Sequence, residues 1–357
     1  MNVDQKPFIK GLEYEIVPQF PNRSNLENKL KVIVNAQHKG GVGKTSDTIL
    51  QAHYIANILK KRVLVIDLDK QANLSTTFIK MEKEEDYVSD VSANWMPPVH
   101  PDHGDDDWGS GRYSFVDLFE IDDTGTAIGL VPYETNHPRI DLIPAYSSRL
   151  GEFVHEDHLF RSLHSKDSDF SEKAVSYMCS EKYRDDFRHL VINTIVKAID
   201  SVREHVDRDV ENGEDPIYDY IIFDTSPNKD LFIEAVIRSA DHIVLPYFPD
   251  AFTLEGMNAM KRMIGTQNAE RAKEGRVPTT FTIQPNKIQA GYTNQIKDLE
   301  VFASLHEHQV NIPIKAFAGV VELWNYKPEK NSAFTHRFKK NSKEYMNIVA
   351  AMENIFG

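Results

Sequence analysis

The sequence has a single cysteine, Cys179. One thiol excludes an intrachain disulfide. It also excludes an iron–sulfur cluster held within one chain, which needs about four cysteine ligands. A lone thiol in a long chain is consistent with a reducing, cytoplasmic setting. Long apolar runs are missing too, and none approaches the roughly 20 residues that span a bilayer. The first 20 residues, MNVDQKPFIKGLEYEIVPQF, contain no apolar core of a secretory leader, and none is expected. Positive charge is in deficit: 41 Lys and Arg stand against 54 Asp and Glu, for a net charge of −13. A nucleic-acid partner therefore has to be argued from a local basic patch, because the overall field opposes it.

The 357 residues suffice for one large domain or two small ones. Residues 1–29 are polar, with Pro7, Pro18 and Pro21, and read as an N-terminal arm. The stretch LKVIVNA (30–36) is a short, β-branched apolar run, read as a buried strand. It is followed by the glycine loop QHKGGVGKT. Ile49, Ala52, Ile55, Ala56 and Leu59 then recur at helical spacing. RVLVIDLD (62–69) is a second buried strand. Strand, glycine loop, helix and strand make one right-handed crossover unit, the seed of a twisted parallel sheet with helices on both faces.

Further strands are expected at 139–147, 218–227, 242–248 and 279–287, and helices at 187–206, 231–240 and 253–267. Two segments break this rhythm. Residues 82–123 are dense in acid and contain Pro97, Pro98 and Pro101, and the segment 81–138 around them reads as an acidic surface insertion. Residues 152–184 form a second inserted segment. The expected organisation is thus an arm over 1–29 and one domain over 30–357 that carries both inserted segments.

The glycine loop carries the clearest chemistry. In G-x-x-x-x-G-K-[ST], Lys44 and Thr45 occupy the last two positions and Gly43 the second glycine, but His38 stands at the first. The strand before and the helix after still meet the motif's structural requirement. Gly40, Gly41, Val42, Gly43, Lys44, Thr45 and Ser46 are the candidate phosphate contacts: backbone N–H groups at a helix N-terminus that favour anions. Lys44 would meet the β- and γ-phosphates, and the Thr45 hydroxyl a magnesium ion. Lys39, five residues before Lys44, has no place in the ordinary pattern.

KGGVGKT resembles the deviant Walker A motif of the ParA/MinD superfamily of ATPases. The resemblance implies that Lys39 is the signature lysine, reaching the nucleotide of a partner subunit in an ATP-bound homodimer. VLVIDLDKQANLS (63–75) resembles that family's D-x-D-P-Q-x-N segment, with Lys70 in place of proline. It implies that Asp69 orients or activates the attacking water and that Asp67 supports the magnesium shell. YDYIIFDTSP resembles the Walker B strand, implying that Asp224 holds Mg²⁺ through water. The stretch around Pro246 and the sequence QPNKI, with Asn286, resemble the segments bordering the adenine. The resemblance covers 30–80, 139–150 and 187–350 and implies ATP and Mg²⁺ as cofactors.

Within that family, ParA-type members partition DNA, and MinD-type members bind membrane through a C-terminal amphipathic helix. The C-terminal stripe Met346, Ile348, Val349, Met352 and Ile355 lacks flanking lysines, so it is expected to pack on the core and not on a membrane. Lys327, Lys330, Arg337, Lys339, Lys340 and Lys343 gather against the single acid Glu329, a candidate patch for non-specific DNA. Lys261, Arg262, Arg271, Lys273 and Arg276 form a second candidate patch. A DNA-reading domain before the loop is not expected. The resemblance then implies a ParB-like, centromere-binding partner that stimulates hydrolysis, and a nucleoid-associated protein. Two alternatives stay open: a positioning ATPase for membrane or another cargo, and an ATP-dependent ligase, although Cys179 lacks the context of a glutaminase nucleophile. His100, His103 and Asp105–Asp107, and the pair His155 and His158, are read as exposed polar loops and not as zinc sites.

Overall fold

The computed structural model describes residues 30–84, 94–104, 110–119, 129–154, 181–227, 231–249, 251–287, 297, 302, 309–314 and 343–356. In chain order the elements are β1 (Lys31–Asn35), α1 (Lys44–Tyr54), β2 (Val63–Leu68), α2 (Asn73–Phe78), β3 (Glu82–Lys83), β4 (Trp95–Met96), β5 (Tyr133–Glu134), β6 (Ile140–Ile143), α3 (Ser147–Val154), α4 (Glu181–Glu211), β7 (Tyr220–Thr225), α5 (Leu231–Ser239), β8 (His242–Tyr247), α6 (Ala251–Lys273), β9 (Thr280–Pro285) and α7 (Lys343–Phe356). A π-helical turn, Ile55–Leu59, prolongs α1.

Seven strands form one sheet in the order β5-β6-β2-β7-β1-β8-β9. All neighbours are parallel except β5, which runs antiparallel to β6 at the edge. The chain steps from β1 to β2 in one direction along the sheet, and from β6 to β7, β8 and β9 in the other. Right-handed crossovers therefore place α1 on one face and α4, α5 and α6 on the opposite face. Burial on both faces is why β2, β7 and β8 are buried at every position and read as unbroken apolar runs.

The expectation of a wholly surface-borne insertion at 81–138 is corrected. Phe115, Val116, Leu118 and Phe119 form a buried 3₁₀ turn. Phe115 meets Phe223 and Phe232 edge-on, at ring separations of 5.9 and 5.8 Å. Residues 133–134 complete the sheet edge as β5. The acidic composition concealed this because the apolar anchor is only five residues long. His100 gives its ring nitrogen to the Pro132 carbonyl (3.2 Å) and His103 contacts the Tyr113 hydroxyl (3.2 Å), so both pack the insert together. Asp105–Asp107, the arm 1–29 and residues 155–180 lie outside the described residues.

The C-terminal helix α7 turns most of its apolar stripe to the core: Ile348, Met352 and Ile355 are buried, as is Ala351, Val349 is half-buried against them, and Met346 is exposed. Phe356 stacks on Tyr54 and abuts Tyr220, both at 5.8 Å. Asn311 fixes the helix to β9 by donating to the Ala351 carbonyl (2.9 Å) and to Gln284 Oε1 (2.6 Å), while Asn354 donates to Asn311 Oδ1 (2.7 Å).

At the opposite end of the strands from the glycine loop, Arg203 of α4 donates to the carbonyls of Leu30 (3.1 Å) and Ser239 (2.8 Å) and to Asp241 (3.0 Å). Asp241 in turn accepts from the Val32 amide at 2.8 Å. One ion pair thus fastens α4, β1 and the α5–β8 turn. Neighbouring arginines behave alike. Arg271 is buried, donating to the Val277 and Arg238 carbonyls. Arg276 chelates Asp200 and pairs with Glu274. Lys273 pairs with Glu270. The second candidate basic patch is therefore largely a set of internal ion pairs and caps.

His53, near the C-terminus of α1, lies against Phe78 and edge-on to His137, at 5.9 and 6.0 Å. Burial, helped by the His137 charge, pulls its pKa down to about 3. The folded state thus binds fewer protons than the unfolded chain between that value and the ordinary histidine pKa near 6.5. Its contribution to stability is complete above about pH 6.5 and is lost as pH falls through that window. We predict that His53→Gln reduces the loss of unfolding free energy between pH 7 and pH 5 by on the order of 1 kcal/mol. Denaturant titrations at the two pH values measure it; an unchanged difference contradicts it.

Candidate functional site at the carboxyl ends of the central strands

The loop between β1 and α1 lies where ligands of open parallel sheets bind, at the C-terminal strand ends. Its bends fall at Gly41 (φ 74°) and Gly43 (φ 108°), a backbone region that L side chains rarely adopt. A Cβ on Gly43 would also stand 2.8 Å from Asn286 Nδ2. The missing first glycine therefore matters little, because the turns that need glycine are supplied at 41 and 43. Lys44, Thr45 and Ser46 open α1, and the first N–H groups of a helix have no partner within it.

Lys44 curls back over the loop, its Nζ 3.2 Å from the Gln37 carbonyl and 3.3 Å from that of Lys39. Burial lowers its pKa, and Asp224 and Asp69 oppose that shift. Lys39 is half-buried on the same loop. Gln37 braces the arrangement from below: its Nε2 donates to the Pro246 carbonyl (3.3 Å) and its Oε1 accepts from the His38 amide (2.8 Å). Pro246 thus meets the site through its carbonyl, on the loop side of β8.

Three strand ends bring the acids together. Asp224 on β7 is in register with Asn35 on β1 and Asp67 on β2. Asp224 is fully buried. Its Oδ1 is 3.4 Å from the Thr48 hydroxyl, and the nearby Thr45 hydroxyl opposes the rise in its pKa. Its Oδ2 has no hydrogen-bond partner among the described residues. Burial, reinforced by the Asp67 charge, pushes the Asp224 carboxyl well above its ordinary range. Such an atom is costly unless a cation or donor meets it.

Among the described residues no three His, Cys, Asp or Glu side chains converge as a metal cage. A cation here would be held by one carboxylate, one hydroxyl and the phosphates themselves, which suits magnesium. The donor set fits the ion inferred from the sequence.

Asp67 differs from Asp224. Its Oδ1 accepts from the Asp69 amide (3.0 Å), and its Oδ2 from the Ser75 amide (2.9 Å) and hydroxyl (2.7 Å). Ser75 then receives the Ala145 amide at 2.9 Å. Asp67 therefore braces the segment from Asp69 to Ser75. Burial raises its pKa to about 7, the Ser75 bonds opposing and Asp69 adding. Asp69 lies just beyond β2, with Oδ1 accepting from Gln71 N at 3.0 Å. Ala72 closes this turn in the left-handed region (φ 52°), donating to the Asp69 carbonyl. Lys70, standing where the related motif has proline, is compatible with a closed turn because the Asp67 and Asp69 bonds hold it.

Asn286 follows β9 and is buried against the loop, its Nδ2 reaching the Val42 carbonyl (3.3 Å) and Asp47 Oδ2 (2.7 Å). The structure thus unites Lys39, Gly40–Ser46, Asp67, Asp69, Asp224, Pro246 and Asn286 around one loop. Lys327, Lys330, Arg337, Lys339 and Lys340, and the Lys343 side chain, lie outside what is described. Sequence reading missed Gln37, Thr48, Ser75 and Asp47. The first three are ordinary polar residues with no spacing of their own. Asp47, a buried acid in the first turn of α1, was visible as an acid beside a phosphate site.

The family described as the CobQ/CobB/MinD/ParA nucleotide binding domain matches residues 33–313, and the chain belongs to that family. The Virulence plasmid ParA family protein pGP5-D of Chlamydia psittaci is 23% identical over 237 residues, covering 66% of this chain and 64% of that protein. The chain spans less than two thirds of the length of the curated relatives it matches, 52% in a ParA family protein of Mycoplasma pneumoniae. Among solved structures, apo McdA of Cyanothece superposes with a TM-score of 0.57 at 14% identity, over 92% of this chain and all of that one. A putative plasmid partition protein of Borrelia burgdorferi bound to AMPPNP gives 0.50 at 16% identity, over 89% and 96%. Identities this low speak for the fold.

Proposed function

We propose that the protein is an ATP-dependent switch of the ParA kind: it hydrolyses ATP to ADP and phosphate, dimerises around the nucleotide, and moves DNA. The observation that carries this reading is the conjunction of a buried, half-unpartnered Asp224 with Lys44 and Thr45 on the adjoining loop. That arrangement suits a cation–triphosphate.

Backbone N–H groups of Gly41–Ser46 take phosphate oxygens at the helix N-terminus. Lys44 exchanges its loop carbonyls for the β- and γ-phosphate oxygens. Thr45 and Asp224 orient the metal's shell; magnesium, when bound, neutralises charge on the phosphates. Asp69 positions the attacking water and accepts its proton. Asp67 holds the Asp69–Ser75 segment in place for that step. Lys39, delivered from the second subunit, stabilises the charge that develops on the transferred phosphoryl group. Coupling nucleotide to dimer in this way turns hydrolysis into release.

In this reading the ATP dimer binds DNA non-specifically through the doubled patch Lys327–Lys343, and a ParB-like, centromere-bound partner triggers hydrolysis. A cytoplasmic, nucleoid-associated location follows from it. The membrane-positioning alternative is less favoured because Ile348, Met352 and Ile355 of the α7 stripe are occupied by the core.

Asp69→Ala should sediment as a dimer with ATP and as a monomer with ADP, with hydrolysis at least about 100-fold down, the loss expected for a general base. Lys39→Ala should lose hydrolysis without loss of thermal stability. Normal turnover by Asp69→Ala would overturn the assignment of the switch.

A further inference from the structure

The turn that carries Asp69 runs from the end of β2 into α2 and has little stiffness of its own. Residues 69–75, DKQANLS, include no proline. Ala72 takes a left-handed φ of 52°, which a residue with a Cβ adopts at a cost. The position of the turn therefore depends on the bonds at its two ends, and both ends rest on one side chain. Asp67 Oδ1 accepts from the Asp69 amide (3.0 Å), and Oδ2 accepts from the Ser75 amide (2.9 Å) and hydroxyl (2.7 Å).

The Ser75 hydroxyl does what those backbone donors do not. The amides of Asp69 and Ser75 tie the turn back to β2, the strand it has just left. The hydroxyl also accepts from the Ala145 amide at 2.9 Å, and so reaches across to the end of β6. The direction of both bonds is settled: an amide N–H can only donate, so the single hydroxyl hydrogen goes to Asp67. Asp67, Ser75 and Ala145 are all 0% exposed, and a buried group that loses its partner is costly. The anchor beyond Ala145 is itself held. Ser147 Oγ accepts from the Trp95 amide (3.0 Å), Ser148 donates to Glu84 Oε1 (2.6 Å), and Arg149 pairs with Asp117 (3.0 Å). The stretch 145–149 thus joins the Asp69 turn to the acidic insert.

We propose that Ser75 is a positioning residue for hydrolysis: its hydroxyl locks the Asp69 turn to the end of β6, so that Asp69 stays where it meets the attacking water. This rests on the functional reading above, in which Asp69 activates that water. Ser75→Ala keeps the amide bond to Asp67 but takes the acceptor from the buried Ala145 amide, and the turn is released from β6. The phosphate contacts come from the loop between β1 and α1, so ATP binding does not depend on the lock.

The test compares wild type and Ser75→Ala, as full chains, by equilibrium binding of ATP with magnesium and by single-turnover hydrolysis per bound ATP. Affinity should stay within about threefold while hydrolysis per bound ATP falls at least about tenfold, a loss that a small misplacement of a catalytic group can cause. A merely structural role would lower thermal stability and the number of binding sites, and leave hydrolysis per bound ATP unchanged. A folded Ser75→Ala that hydrolyses bound ATP at the wild-type rate overturns the proposal, as does one whose only loss is in affinity. Hydrogen exchange of ligand-free wild type is a second measurement that needs no variant. The amides of Asp69, Ser75 and Ala145 should open as one unit, because all three end on the same clamp. An Ala145 amide that exchanges independently of the other two overturns the lock, whether or not Ser75→Ala folds. A wild type that hydrolyses no ATP would instead overturn the functional reading.

Discussion

Asp224→Asn should make the ligand-free protein more stable and abolish the proposed ATP hydrolysis. Asp224 is fully buried, Oδ2 lacks a partner among the described residues, and Asp67 faces it across the β2–β7 register. A buried charge so poorly compensated costs stability. The amide keeps the shape, can still accept from Thr45 and Thr48, and removes the repulsion. In metal-free buffer we expect unfolding free energy to rise by about 1–2 kcal/mol. Magnesium-dependent ATP hydrolysis should fall at least about 100-fold, because the group that would orient the metal is gone. Thermal unfolding in chelator and steady-state phosphate release measure the two effects on the same sample. A destabilised variant would mean that Asp224 is a structural acceptor; a stabilised variant that still turns over would mean that the metal is held elsewhere.

Arg203→Leu is expected to have the largest effect on folding. It takes from the buried Asp241 its Arg203 partner, with the Val32 amide still donating to it, and frees the carbonyls of Leu30 and Ser239. Breaking a buried pair from one side costs about 3–5 kcal/mol. Replacing both partners, Arg203→Leu with Asp241→Leu, removes the buried charge left without its arginine and should recover part of that loss. Because the pair lies at the far end of the strands from the phosphate loop, affinity for ATP in the folded fraction should not change. Urea titrations of the two variants measure the difference. Equal losses would show that Asp241 is stabilised by its surroundings and not by Arg203.

The sheet was legible from sequence because its strands are buried on both faces, so β1, β2, β7 and β8 stand out as apolar runs. The loop was legible because its glycines, Lys44 and Thr45 sit next to one another, and Asp67, Asp69 and Asp224 because each ends such a run. The core role of Phe115–Phe119 was not legible, since five residues are too few to show a period and the surrounding acids dominate the composition. Nor were the helices' inner arginines: Arg203 and Arg271 look like surface charges until the carbonyls they cap are known. Asp47 and Asn286 lie 239 positions apart, and only the β1–β8–β9 neighbourhood brings them together. The pairing within the second basic patch was hidden for the same reason, because charge counts do not show which arginines are already paired.

Binding to random-sequence duplex DNA, with ADP and with ATP across a salt series, tests the central claim most directly. The account predicts binding with ATP, little or none with ADP, and an affinity that falls steeply as salt rises. Absence of DNA binding in both states, from a protein that still dimerises with ATP, would contradict it and assign the switch to a different cargo.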